Sequence, residues 1–228
     1  MLPLSALAIG TMTPDFEFVR ALRGEWGSAH TAPGLFTFCL PAGLLMTALW
    51  VFLLRDPVRD LLTLPAERLV TNWEWWMKAM AAVLLGAATH LAWDGVTHGD
   101  TWATHLVPNL DQSLPIFGVR VPVFNILQHL STVLGGLVVL PWVVRQIRTS
   151  GSPLELLRPW RLGVAGGIVA LSAGVAIWKA PESWARGDFW LLQGQISEFV
   201  VGALLGMLIG LTGFALAHRI LASQRPQQ

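Results

Sequence analysis

The chain has 228 residues, of which 54% are hydrophobic and only 13% charged, with a mean hydropathy of +0.56. A water-soluble domain carries roughly 25% charged residues, so this composition excludes one and points to a polytopic membrane protein. A net charge of +1, with arginines standing singly at the ends of apolar segments, excludes a nucleic-acid partner, and a single cysteine, Cys39, excludes an intrachain disulfide and a cysteine-rich zinc site.

Met1 to Met12 is apolar, lacks a basic leading region and runs into Pro14-Asp15, so it does not read as a cleaved signal peptide. Crossing the hydrocarbon core takes about 20 residues, which this stretch lacks. It reads as a short buried or re-entrant helix. The first span, 33–54, is uncharged, kinked at most by Pro41, and closed by Arg55-Asp56-Pro57. A polar connection to residue 77 follows, ending on the interfacial Trp73-Glu74-Trp75-Trp76. The second span is 78–96. Residues 99 to 122 hold Gly99, Pro108, Asn109, Pro115, Gly118 and Pro122, a density of breakers that predicts an ordered loop or cap over the membrane. The third span is 123–144, a loop with four arginines covers 145–161, and the fourth span is 162–180. The fifth, 196–217, repeats glycine at 202, 206, 210 and 213, which predicts a helix-packing face. Many of the twelve tryptophans fall at segment ends, as an aromatic belt requires. The expected fold is all-α: a single integral-membrane domain over 1–228, with about five transmembrane helices plus the short N-terminal helix.

Lys and Arg set the expected orientation. Ten lie in 55–78, 145–161 and the C-terminal tail, against five elsewhere, which places the N-terminal segment outside and the C-terminus in the cytoplasm. The second span then delivers Asp94 and His98 to the outer boundary. Asp15, Glu17 and His30, ahead of the first span, reach the same boundary, as do Gln128, His129 and Glu198 opening later spans; His105 belongs to the loop between.

His90, Asp94 and His98 follow one another at i, i+4 and i+8, on one stripe if the helix continues. Ionisable residues in an apolar span are costly, so such a cluster marks a functional site. Histidines with carboxylates suit a divalent transition metal, zinc first and manganese or iron as alternatives. A catalytic metal site activates water against an ester or phosphoester. Each residue also has a plainer reading: Asp15 as a turn or helix-capping residue, His30 as an interfacial histidine, His90 as an interhelical hydrogen-bond partner, His98 as a solvated loop residue. Asp94 is the hardest to explain without a partner.

The stretches Leu4 to Glu17, with Pro14-Asp15-Phe16-Glu17, His30 with Gly34-Leu35-Phe36, and Thr89-His90-Leu91-Ala92-Trp93-Asp94-Gly95-Val96-Thr97-His98 resemble an uncharacterised bacterial integral-membrane family, a domain of unknown function. That family looks related to the membrane-bound metal-dependent hydrolases typified by a LexA-regulated inner-membrane protein. The resemblance implies a metal site of Asp15, His30, His90 and Asp94, with His98 as a further ligand, and a hydrolytic reaction; on the hydrolase reading His98 is a ligand or general acid/base and Glu17 a base or a group behind the ligands. It also implies one more histidine ligand ahead of the Pro3-Leu4-Ser5-Ala6-Leu7 stretch, which this sequence does not contain. The His90/Asp94 spacing is similar to a ligand pair of zinc-dependent phospholipase C proteins. The expected function is a membrane-bound hydrolase acting on a phosphoester, a membrane lipid or a lipid-linked small substrate. The alternative is a non-enzymatic membrane protein, transporter-like, ion-binding or structural, using the same cluster.

Overall fold

The computed structural model describes residues 1–18, 29–65, 69–116, 119–150, 153–179 and 189–224. They are overwhelmingly helical: α1 (Leu4–Met12), α2 (Ala32–Leu61), α3 (Trp73–Thr97), α4 (Trp102–Leu106), α5 (Val123–Ser150), α6 (Pro159–Lys179) and α7 (Phe189–Ser223), with a two-stranded hairpin between α4 and α5. Five of these are long and apolar enough to cross a membrane: Ala32–Leu61, Trp73–Thr97, Val123–Thr149, Pro159–Trp178 and Phe199–Ser223. The chain is a multi-pass membrane protein. Its outward apolar side chains fit lipid as solvent; along α5, Leu137, Val138 and Leu140 all stand largely exposed.

The spans run longer than the apolar runs predict. The first does not stop at Arg55-Asp56-Pro57 but continues to Leu61. A π-helical turn over Trp50–Leu54, in which Arg55 N–H reaches back to the Trp50 carbonyl, widens the helix just before Pro57. That relieves the clash a proline ring makes with the carbonyl four residues back. A second π turn, Leu35–Cys39, stands in the same relation to Pro41. Both prolines are therefore carried inside one helix. The segment 99–122 is more than a loop: it holds α4, a 3-10 turn at Pro108–Leu110, and β1 (Ser113–Ile116) paired antiparallel with β2 (Val119–Pro122), Leu114 opposite Val121. Alternation is too short there to announce strands. The loop 145–161 is likewise partly helical, since α5 runs to Ser150, and His218 lies within α7 rather than in a tail.

The chain divides into two compact units, Met1–Thr47 with Leu69–Gln146, and Ala48–Arg68 with Ile147–Gln228. In the first, α1 lies against α3 over a core of small residues, Ala6, Ala79, Ala82 and Val83. Gly10 and Gly86 allow the approach. A Cβ on Gly10 would stand 2.7 Å from Val83 Cα, and one on Gly86 2.8 Å from the Thr11 nitrogen, both against backbone that cannot give way. Ala29, Cys39 and Ala87 form a second small core where α2 meets α3. Asn72 caps α3 by accepting from Trp75 N–H at 2.9 Å. At its other end the Trp102 indole covers Gly95, and the Thr101 hydroxyl donates to the Gly95 carbonyl at 2.6 Å.

In the second unit α6 and α7 pack antiparallel in a four-residue register. Cβ atoms on Gly202, Gly206 and Gly210 would meet Ala176, Ser172 and Ile168 respectively, so the glycine repeat is a packing face within the chain; Gly213 meets nothing. Asp60, at the end of α2, ties this unit together. Arg161 donates to its backbone and side-chain oxygens, and His218 Nε2 lies 3.1 Å from Oδ2.

Replacing Gly86 by leucine should drive α1 off α3. An overpacked core loses about 1–3 kcal/mol, so a lower unfolding midpoint in detergent is expected, whereas Gly213→Leu, in open space, should leave the midpoint unchanged. Equal midpoints for the two variants would contradict the close backbone contact.

Candidate metal centre

The crossing of α1 on α3 sets the site. With Thr11 beside Gly86, one turn further along each element brings the 3-10 turn Pro14–Phe18 beside His90, whose Nε2 lies 3.5 Å from Asp15 Oδ1. Thr13 is fully buried, its hydroxyl donating to the Gly10 carbonyl at 2.7 Å, which holds the chain tight as it leaves α1. Asp15 follows and points at the histidines. His30 arrives from the turn before α2, where Cys39 and Ala29 pack on Ala87.

Four side-chain atoms converge. His30 Nε2 lies 3.7 Å from Asp15 Oδ1 and 3.5 Å from Asp94 Oδ2; His90 Nε2 lies 3.5 Å from Asp15 Oδ1 and 2.9 Å from Asp94 Oδ2. The two imidazoles meet edge to face, centroids 5.9 Å apart. Ligand atoms of Asp15, His30 and His90 all lie within 4.8 Å of one another; Asp94 stands outside that three-residue group but faces both histidines. A tetrahedral shell with bonds of about 2.0–2.2 Å has edges of about 3.3–3.6 Å. Three of the four contacts fall at or within about 0.1 Å of that range. The fourth, between His90 and Asp94, is tighter.

The donor chemistry fits a cation. His90 Nε2 is buried and, although Asp94 is near, makes no hydrogen bond among the described residues. Two carboxylates and two imidazole nitrogens facing one point need positive charge between them, supplied by protons or by a metal. His30, just outside the spans, shows the first option: the facing Asp15 carboxylate, working against burial and joined by the charge of Asp94, holds its imidazole above the usual histidine range, while His90 pulls it down.

The remaining candidates divide clearly. Glu17 does not face the convergence point: its Oε2 is 3.5 Å from the other ring nitrogen of His30, Nδ1, and its Oε1 accepts from Ala29 N–H at 2.6 Å. His98 is where the α3 helix stops, in extended backbone, so the predicted three-residue stripe ends one residue early. Its Nδ1 still lies 3.5 Å from Asp94 Oδ1, the oxygen turned away from His90. His105 pairs with Asp100 at 3.3 Å on the surface, and His129 is exposed on α5; neither appears among the residues that could hold a metal. The Glu198 side chain lies outside the described residues. Away from the site, the Asp60–Arg161–His218 cluster had no sequence signal: Arg161 and His218 are 101 and 158 residues from Asp60.

The chain belongs to the family described as domain of unknown function DUF4184, whose model matches residues 1–216. No curated protein and no solved structure matches it.

Because His30 holds its proton to higher pH than a free imidazole, a metal must displace that proton to bind. Zinc affinity should therefore rise with pH through the titration of His30 and level off above it. Competition titrations at pH 5.5 to 8.5 check this; affinity that falls as pH rises would contradict it.

Proposed function

We propose that this DUF4184 member is a membrane-bound metal-dependent hydrolase, with Asp15, His30, His90 and Asp94 holding a divalent cation, zinc first and manganese or iron as alternatives. The observation that carries the reading is the group of Asp15, His30 and His90, whose ligand atoms all lie within 4.8 Å of one another, with Asp94 Oδ2 facing both histidines. Side chains from three separate segments, one of them inside a span, form it. Interhelical glue needs fewer groups and no common focus. A cation bound there supplies Lewis acidity for attack of water on an ester or phosphoester.

The protein's own residues offer the rest. Asp15 is the most open of the four, its side chain 51% exposed against 17% for His90 and 22% for Asp94, so substrate approaches from the Asp15 side. His98, beside Asp94 Oδ1 with half its side chain exposed, is placed to carry a proton: Asp94 orients Nδ1 and leaves Nε2 for substrate or water. The ten-to-five bias of Lys and Arg supports an outer-boundary site with the C-terminus in the cytoplasm, and a position within reach of the bilayer supports a phosphoester on a membrane lipid or a lipid-linked small molecule. The motif resemblance supports a bacterial inner-membrane setting and kinship with the LexA-regulated membrane hydrolases.

Elemental analysis of detergent-purified protein should find about one zinc-type ion per chain. His90→Ala and Asp15→Ala should each lose more than the about 10–100-fold in affinity that removing an outer-shell partner costs. If the cluster is only interhelical glue, Asp94→Asn lowers the unfolding midpoint and no metal is bound at any stage. A metal-free protein indifferent to chelators would end the hydrolase reading.

A further inference from the structure

We infer that Glu17 is the positioning residue of this centre: it fixes His30 as the Nδ1–H tautomer and so keeps Nε2 as the metal-facing lone pair. The inference rests on the metal reading above and adds to it a role that the ligand set alone does not define. A histidine presents only one ring nitrogen to a metal, and which one is set by the partner of the other. His30 has both options in reach of acids. Nε2 faces Asp15 and Asp94, 3.7 and 3.5 Å away, and Nδ1 faces Glu17, 3.5 Å away. Only the Nδ1–H form places a donor against Glu17 while leaving an unprotonated nitrogen toward the convergence point.

Glu17 is built for this and not for proton transfer to substrate. Its side chain is 11% exposed, and the imidazole of His30 presents its far nitrogen, not its near one, to the convergence point. Its second oxygen is held by the Ala29 amide at 2.6 Å, one residue before His30. One carboxylate therefore holds the backbone just before His30 through Oε1 and faces the ring through Oε2, 3.5 Å from Nδ1. A carboxylate can accept at both positions at once. An amide can accept at only one.

That difference makes Glu17→Gln the test, since it keeps size and shape and removes one of two acceptors. Zinc is the probe. Competition titration should show wild-type binding and a loss of about 10–100-fold in Glu17→Gln, the range for an outer-shell partner, with the circular dichroism unchanged. Histidine-selective nitrogen NMR on the zinc-free protein, at a pH where His30 is neutral, should show the His30 proton on Nδ1 in wild type and a move toward Nε2 in Glu17→Gln, a readout that a purely structural role does not move. A proton on Nε2 in the zinc-free wild type, or zinc affinity in Glu17→Gln equal to wild type, overturns the inference and leaves the metal centre standing. Wild-type protein that binds no zinc, manganese or iron overturns both.

Discussion

The structure depends on a backbone contact between two glycines. Gly10 of α1 and Gly86 of α3 lie so close that a methyl group on either would overlap main-chain atoms of the other helix. Lipid offers no hydrophobic drive for helices to associate, and small residues that admit close approach substitute for it. The placement of Asp15 follows from this crossing: Thr11 lies beside Gly86, and Asp15, one turn further on, is level with His90 Nε2. A nine-residue helix too short to span thereby becomes the element that delivers a carboxylate to a transmembrane histidine.

The cost of the site is electrostatic, and its arrangement shows how the cost is met. Two carboxylates and two imidazole nitrogens face one another near the end of an apolar helix, a geometry that repels itself unless a cation or protons occupy it. The carboxylates are divided between tasks. Asp94 turns one oxygen to His30 and His90 and the other to His98, while Glu17 turns both of its oxygens to the segment carrying His30. A second charged cluster among the described residues, Asp60 with Arg161 and His218, is different in kind. There a single acid is answered directly by donors, and the contacts join helix ends within one unit.

Much of this was legible in the residues. Five apolar stretches announced five helices, and the i, i+4 spacing of His90 and Asp94 placed them on one face because both lie well inside a continuous helix. Asp15 and His30 were legible as partners through chain order alone: a segment ahead of the first span and the end of the second span lie at the same boundary. Three things were not legible. Pro57 and Pro41 read as a stop and a kink, because π turns that accommodate a proline leave no composition signature. The hairpin at 113–122 was hidden by strands of four residues, too short for alternation to show. His98 was read into a helical stripe that the chain abandons one residue sooner, where Trp102 folds back over Gly95.

The central claim is that two histidines and two aspartates from separate segments share one cation. X-ray absorption at the zinc edge of the zinc-loaded, detergent-purified protein addresses it directly. The account predicts a first shell of nitrogen and oxygen at about 2.0–2.2 Å, with outer-shell scattering from two imidazoles and loss of one imidazole in His90→Ala. A shell of oxygen alone, a sulfur ligand, or a spectrum that His90→Ala leaves unchanged would contradict it.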